Sequence, residues 1–176
     1  GHVEPPANFE VNLGLPFKDL LAMAGGIWKG RALKAVIPGG SSVPVVPGEN
    51  MMAANMDYDS IQKAGSMLGS GAVVIMDETT CMVNMARRIS RFYYAESCGQ
   101  CTPCREGTGW MHRMLDRVIA GKGRAEDLEN LLSVANNIEG RTICALGDAA
   151  AWPVQGFLRH YRHEFQYMIE HNGRSI

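Results

Sequence analysis

The chain has 176 residues, 46% of them apolar, which suits one or two small domains with a core of modest size. Its 17 basic and 18 acidic residues leave a formal charge of −1, and no run of like charges marks a nucleic-acid or membrane-surface patch. No stretch of about eighteen or more uninterrupted apolar residues is present, and no basic segment leads into an apolar one at the start, so the sequence predicts a soluble, intracellular protein without direct membrane insertion.

From Phe9 to Asp77 the pattern is short and mixed. FEVNL, Phe9 to Leu13, reads as a strand. PFKDLLAMAGG, from Pro16 to Gly26, reads as a short helix with proline near its start and glycines at its end. LKAVI and AVVIMD, starting at Leu33 and Ala72, read as strands. Together these make an α+β module. From Asp77 onward the period turns helical, with Met82, Met85, Ala86, Ile89, Phe92 and Tyr93 on one face of a segment from about Glu78 to Ala95. That stripe reads as core.

A second helix is predicted from near Pro103 to Ala120, ending at GKG, and a third from Ala125 to Ile138, ending at Glu139-Gly140. A fourth spans about Ala149 to Glu170, with Pro153 in its first turn. Four helices on short connections predict an antiparallel bundle.

The chemistry gathers at SCGQCTPCREGTGW, Ser97 to Trp110, where three of the chain's five cysteines form C-x-x-C-x-x-C. An odd count without a secretion signal argues against a disulfide framework and for metal or redox work. A loop closing onto a helix can turn Cys98, Cys101 and Cys104 towards one focus, with Gly99 easing the turn and Pro103 fixing φ at the bend. A tetrahedral or cubane site needs a fourth ligand. The candidates are Cys81, just inside a helix start, and Cys144, in RTICALGD between two helical patterns. Structural zinc sites usually pair two C-x-x-C motifs or add histidines, whereas three cysteines two apart plus a remote fourth match a [4Fe–4S] arrangement. The fourth cysteine is followed here by Ala145-Leu146 and not by proline, so this is no ferredoxin-type two-cluster repeat. Cys98, Cys101 and Cys104 fall at the first helix junction and Cys144 at the third, so the four can gather at one end of the bundle. Helix N-terminal N–H groups and Arg105 would offset the negative charge of a thiolate-held cluster, and Ser97, Gln100 and Thr102 join Arg105 as polar neighbours able to tune it.

Other features read as structure. IPGGSSVP, from Ile37, lacks the Gly-Lys-Ser/Thr ending of a phosphate loop, and GSGAVV lacks G-x-G-x-x-G spacing. His160, His163 and Glu164 make no H-E-x-x-H and read as a solvated helix face. The small residues of GSMLGSGA, from Gly65, are expected to let strand and helix approach closely.

KAVIPGGSSVP, MDYDSIQKAGSMLGSG, ESCGQCTPCREGTGW and EGRTICALGDAAAWPVQGFLRH follow one another along the chain from Lys34 to His160. They resemble the NADH-binding flavoprotein subunit of NADH:quinone oxidoreductase, respiratory complex I. The resemblance implies an SLBB-type β-grasp domain over residues 1–77 and a helical [4Fe–4S] domain over 78–176, with Cys98, Cys101, Cys104 and Cys144 as ligands and Cys81 not one. It implies an electron relay: NADH reduces FMN, and the cluster takes electrons singly and passes them towards further clusters. In that family FMN and NAD are held by a preceding domain with a G-R-G-G-A-G-F-type loop. No such loop occurs here, so the Gly1 start reads as a cut through the subunit, and the loop at Ala145, Leu146 and Gly147 is expected near the flavin. The implied partners are other subunits of the dehydrogenase, among them a [2Fe–2S] subunit. The implied location is cytoplasmic, peripheral to the inner membrane, or the mitochondrial matrix side in a eukaryote. A soluble NAD-linked hydrogenase or formate dehydrogenase shares the motif, and a zinc-stabilised interaction module is the third alternative.

Overall fold

Ala35, Val36 and Ile37 are all buried in β1 (Leu33–Ile37), a central strand that therefore needs no polar alternation. It pairs antiparallel with β2 (Val46–Pro47) and β3 (Val74–Asp77), giving the order β2-β1-β3, with Val36 opposite both Val46 and Ile75. The register slips between Leu33 and Ala35. The computed structural model describes residues 1–176, and these divide into two units, Gly1–Thr80 and Cys81–Ile176. In the first, α1 (Phe17–Met23), α2 (Gly48–Met52) and α3 (Tyr58–Lys63) contribute Phe17, Leu21, Met51 and Ile61 to one core with Val36, Val46 and Ile75. Asp57 starts α3 because its carboxylate accepts the Ser60 N–H at 2.6 Å.

The two longer strands and α1 stand where the sequence puts them. FEVNL forms no strand. Its alternation signals one apolar face, but a strand also needs a ladder partner, and neither β2 nor β3 pairs with it. Phe9, Val11 and Leu13 stay at the surface. β2, α2 and α3 carry too few residues for a periodic signal. Within GSMLGSGA the close approach falls to Gly69 and is loop to loop, not strand to helix, while Gly65 and Gly71 have open space where a Cβ would stand. A Cβ on Gly69 would lie 2.2 Å from the Gly39 carbonyl oxygen, and one on Gly39 would lie 2.4 Å from that of Met67.

In the second unit α4 (Met82–Glu96) begins four residues later than its periodicity suggests. The Asp77 carboxylate takes both the N–H and the hydroxyl of Thr79, holding residues 78–80 in a turn that competes with the helix. Cys81 is the N-cap of α4, its sulfur accepting the Asn84 N–H at 3.5 Å. The face of α4 is buried at Met82, Ala86, Ile89 and Tyr93 but opens at its end, where Phe92 is exposed.

α5 (Thr102–Ile119), α6 (Asp127–Ile138) and α7 (Leu146–Glu170) complete the unit. α4 and α6 each pack on α5 and α7, and α5 also touches α7. Met111, Leu115, Leu131, Ile138, Phe157 and Phe165 are fully buried between them, each contributing about 1.5–3 kcal/mol of transfer free energy. Gly107 brings α5 close to α6, since a Cβ there would stand 2.7 Å from Ile138 Cδ1. The Arg117 guanidinium pairs with the buried Asp127 carboxylate and so fastens the end of α5 to the start of α6. Pro153 lies inside α7 and not in its first turn, because the helix starts at Leu146.

Candidate iron–sulfur centre

The α4–α5 junction is a short turn whose shape follows from two residues. Gly99 takes φ +79°, a left-handed value that suits glycine. Ser97, which ends α4, accepts the Gly99 N–H at 3.3 Å. Cys98 is exposed in this turn, Cys101 is the N-cap of α5 and half-buried, and Cys104 is buried in the first turn of α5. Pro103 enters that first turn without an N–H to satisfy. Cys101 makes no side-chain cap, so the first-turn donors of α5 and its positive end are left for a negative group.

Arg105 laces the turn. Its guanidinium donates to the carbonyls of Gly99 at 3.0 Å and Gln100 at 3.5 Å and to the Thr102 hydroxyl at 3.4 Å. The buried Thr108 hydroxyl donates to the Cys104 carbonyl at 2.7 Å. The Ser97 hydroxyl lies 3.2 Å from Cys104 Sγ.

Cys144 is exposed in the α6–α7 connection. The Thr142 hydroxyl donates to the Cys144 carbonyl at 2.9 Å, and the Gly140 N–H donates to the Asp148 carboxylate at 2.7 Å. Glu139, at the end of α6, accepts from the Trp152 indole N–H and the Gln155 amide, both at 2.7 Å. The Gln155 and Trp152 hydrogen bonds hold the Glu139 carboxyl below its ordinary pKa, against a smaller upward push from burial. The Ile143 N–H donates to Cys101 Sγ at 3.4 Å, so the loop carrying Cys144 lies against the C-x-x-C-x-x-C turn.

Cys81 sits at the other end of α4 from that turn. No three His, Cys, Asp or Glu side chains are gathered as a single metal ion would require. A cubane makes a different demand, because it offers one iron to each of four thiolates. Four thiols around two adjoining loops, with free helix N–H groups and an arginine beside them, suit that group in donor type and charge.

Sequence reasoning missed Thr108, Glu139, Trp152, Gln155 and Asp148. Thr108 was legible as a hydroxyl four residues after Cys104, positioned to bond back along the helix. The Glu139–Trp152 contact joins two helices and has no local signal.

A family model for the NADH-ubiquinone oxidoreductase-F iron-sulfur binding region matches residues 84–168, and one for the SLBB domain matches residues 1–76. The F subunit of NADH-quinone oxidoreductase from Rickettsia bellii is 50% identical over 172 residues, and its counterpart from Rickettsia typhi is 50% identical over 175. These matches cover 97% and 98% of this chain, and the chain spans 41% of the length of each relative. Among solved structures, an NAD+-reducing [NiFe]-hydrogenase in the H2-reduced state matches with a TM-score of 0.85 at 26% identity, over 96% of this chain and 28% of its own. The same enzyme type in the air-oxidized state gives a TM-score of 0.86 at 25% identity and the same coverage.

Proposed function

We propose that the chain is part of an F subunit of NADH-quinone oxidoreductase, joining an SLBB domain to the iron–sulfur binding region that the family models match, and that Cys98, Cys101, Cys104 and Cys144 hold a [4Fe–4S] cluster that relays single electrons. The observation that carries this reading is the Ile143 N–H on Cys101 Sγ, which draws the Cys144 loop onto the cysteine turn. When bound, such a cluster takes up and returns one electron at a time without a covalent bond to substrate.

The chain's residues supply the rest. Four thiolates would hold the group, the open N-terminus of α5 would offset its negative charge, and Arg105, itself paired with Glu106 at 3.0 Å, would shape the turn around it. In the longer subunit, NADH would reduce FMN on another domain, and the loop through Ala145, Leu146 and Gly147 would stand near that flavin. Electrons would leave towards further clusters, including that of a [2Fe–2S] subunit, within a respiratory complex peripheral to the membrane. No helix of this chain is long and apolar enough to cross a bilayer.

A second reading, the equivalent diaphorase part of an NAD-linked hydrogenase, is favoured by the backbone likeness to the hydrogenase. Sequence weighs the other way: 50% identity to the quinone oxidoreductase relatives against 26% to the hydrogenase supports the first reading. Anaerobic loading with iron and sulfide tests the cluster. Broad visible absorption with about four irons and four sulfides per chain is expected. A colourless protein binding one zinc per chain would reject the relay.

A further inference from the structure

Cys104 is the most buried of the four cysteines, at 7% exposure, and the nearest side-chain hydroxyl to its sulfur is that of Ser97, at 3.2 Å. A hydroxyl has one hydrogen and two lone pairs. The Gly99 N–H can only donate, so it occupies a lone pair of Ser97 Oγ at 3.3 Å and leaves the hydroxyl hydrogen free. A ligating cysteine is a thiolate, which can only accept. With Gly99 on one side and Cys104 on the other, the one arrangement that satisfies all three groups has Ser97 donating to Cys104 Sγ.

We infer that Ser97 is a positioning residue that sets the reduction potential of the bound cluster through an O–H···S hydrogen bond to Cys104. The inference rests on the cluster reading above and deepens it. Adding an electron increases the negative charge shared with the ligand sulfurs, so a donor aimed at one of them stabilises the reduced state more than the oxidised one. The acceptor end of the bond is buried and Ser97 is half-buried, so few solvent donors compete for the Cys104 sulfur and the lowered local dielectric strengthens the bond. The Ile143 N–H on Cys101 is a backbone group and stays in place whichever side chain stands at position 97.

The test is an electrochemical titration of the whole chain loaded with iron and sulfide, followed by electron paramagnetic resonance. Ser97→Ala should keep a full cluster but shift its reduction equilibrium by up to about tenfold towards the oxidised form, a fall of about 59 mV for one electron. Ser97→Thr, which keeps the hydroxyl, should titrate with the parent. A Ser97→Ala chain with the parent potential, or with a raised one, would overturn the inference. A Ser97→Ala chain that loses its cluster would also overturn it, assigning Ser97 to the shape of the turn. Ser97→Thr shifting as far as Ser97→Ala would do the same. A parent chain that takes up no cluster would remove the underlying relay as well, an outcome distinct from all of these.

Discussion

The backbone N–H of Ile143 donates to the sulfur of Cys101 at 3.4 Å, across forty-two positions of sequence. This bond makes Cys144 a neighbour of the cysteine turn and leaves Cys81, at the far end of α4, outside it. Cys98→Ser, Cys101→Ser, Cys104→Ser and Cys144→Ser should each lose or damage the cluster, because a hydroxyl is a poor substitute for a soft thiolate at iron. Cys81→Ser should retain it, and its hydroxyl should still cap α4. Iron and sulfide counts on the five variants check this. Loss in Cys81→Ser with retention in Cys144→Ser would reverse the choice of fourth ligand.

Removing iron should loosen the residues 81–176 unit more than the residues 1–80 unit, since all four proposed ligands belong to the former. Amide exchange in the turns at 97–104 and 140–145 should accelerate most on chelation, with the sheet amides unchanged. Equal protection in loaded and iron-free chains would contradict it.

Glu139 ties the end of α6 to α7 and so frames the Cys144 loop. Gln155→Leu should raise the Glu139 carboxyl towards its ordinary value, because the Gln155 hydrogen bond is the larger of the two that lower it. Trp152→Phe should raise it as well and cost about 0.5–1.5 kcal/mol, the usual net worth of one hydrogen bond. Carbon-detected titration of Glu139 and faster exchange at Gly140 to Cys144 are the readouts.

Asp77, at the end of β3, is fully buried. Burial pushes its carboxyl up, but the Thr79 hydroxyl, the Arg31 guanidinium, the Thr79 N–H and the nearby His2 outweigh it and bring it to about 2 from 3.8. A depressed folded-state pKa means stability that is present above 3.8 and lost as pH falls through about 2. About 1–2 kcal/mol of the first unit's stability should disappear across that window. Asp77→Asn should lower stability at neutral pH and flatten the loss in acid. Denaturant titrations from neutral pH down to about 2 check it, and an unchanged acid limb in Asp77→Asn would refute it.

Gly107 is buried where α5 meets α6, with room for no side chain beside Ile138. Gly107→Val should cost about 1–3 kcal/mol by overpacking, despite the better helix propensity of valine. Removing the opposing Cδ1 with Ile138→Val should make the double variant less destabilised than the sum of its parts. Thermal unfolding of the four forms measures the coupling, and strict additivity would show that the helices separate freely.

Local chemistry carried a large part of this protein in its sequence. Three thiols at C-x-x-C-x-x-C, with a glycine in the first gap and a proline in the second, make a turn opening onto a helix in any surroundings, because φ preferences and helix-start rules act over a few residues. The apolar periods of α5, α6 and α7 were legible for the same reason, each being long enough to repeat its buried face. Tertiary structure decided what depends on a distant partner. FEVNL alternates like a strand but found no ladder, Val46 joined the sheet only through its register with Val36, and Phe92 shares the period of α4 yet lies where no neighbouring helix covers it. The approach of the Cys144 loop to Cys101 belongs to the same class. It depends on Glu139, Trp152 and Asp148 meeting across two helices, and such contacts leave no periodic trace in the chain that makes them.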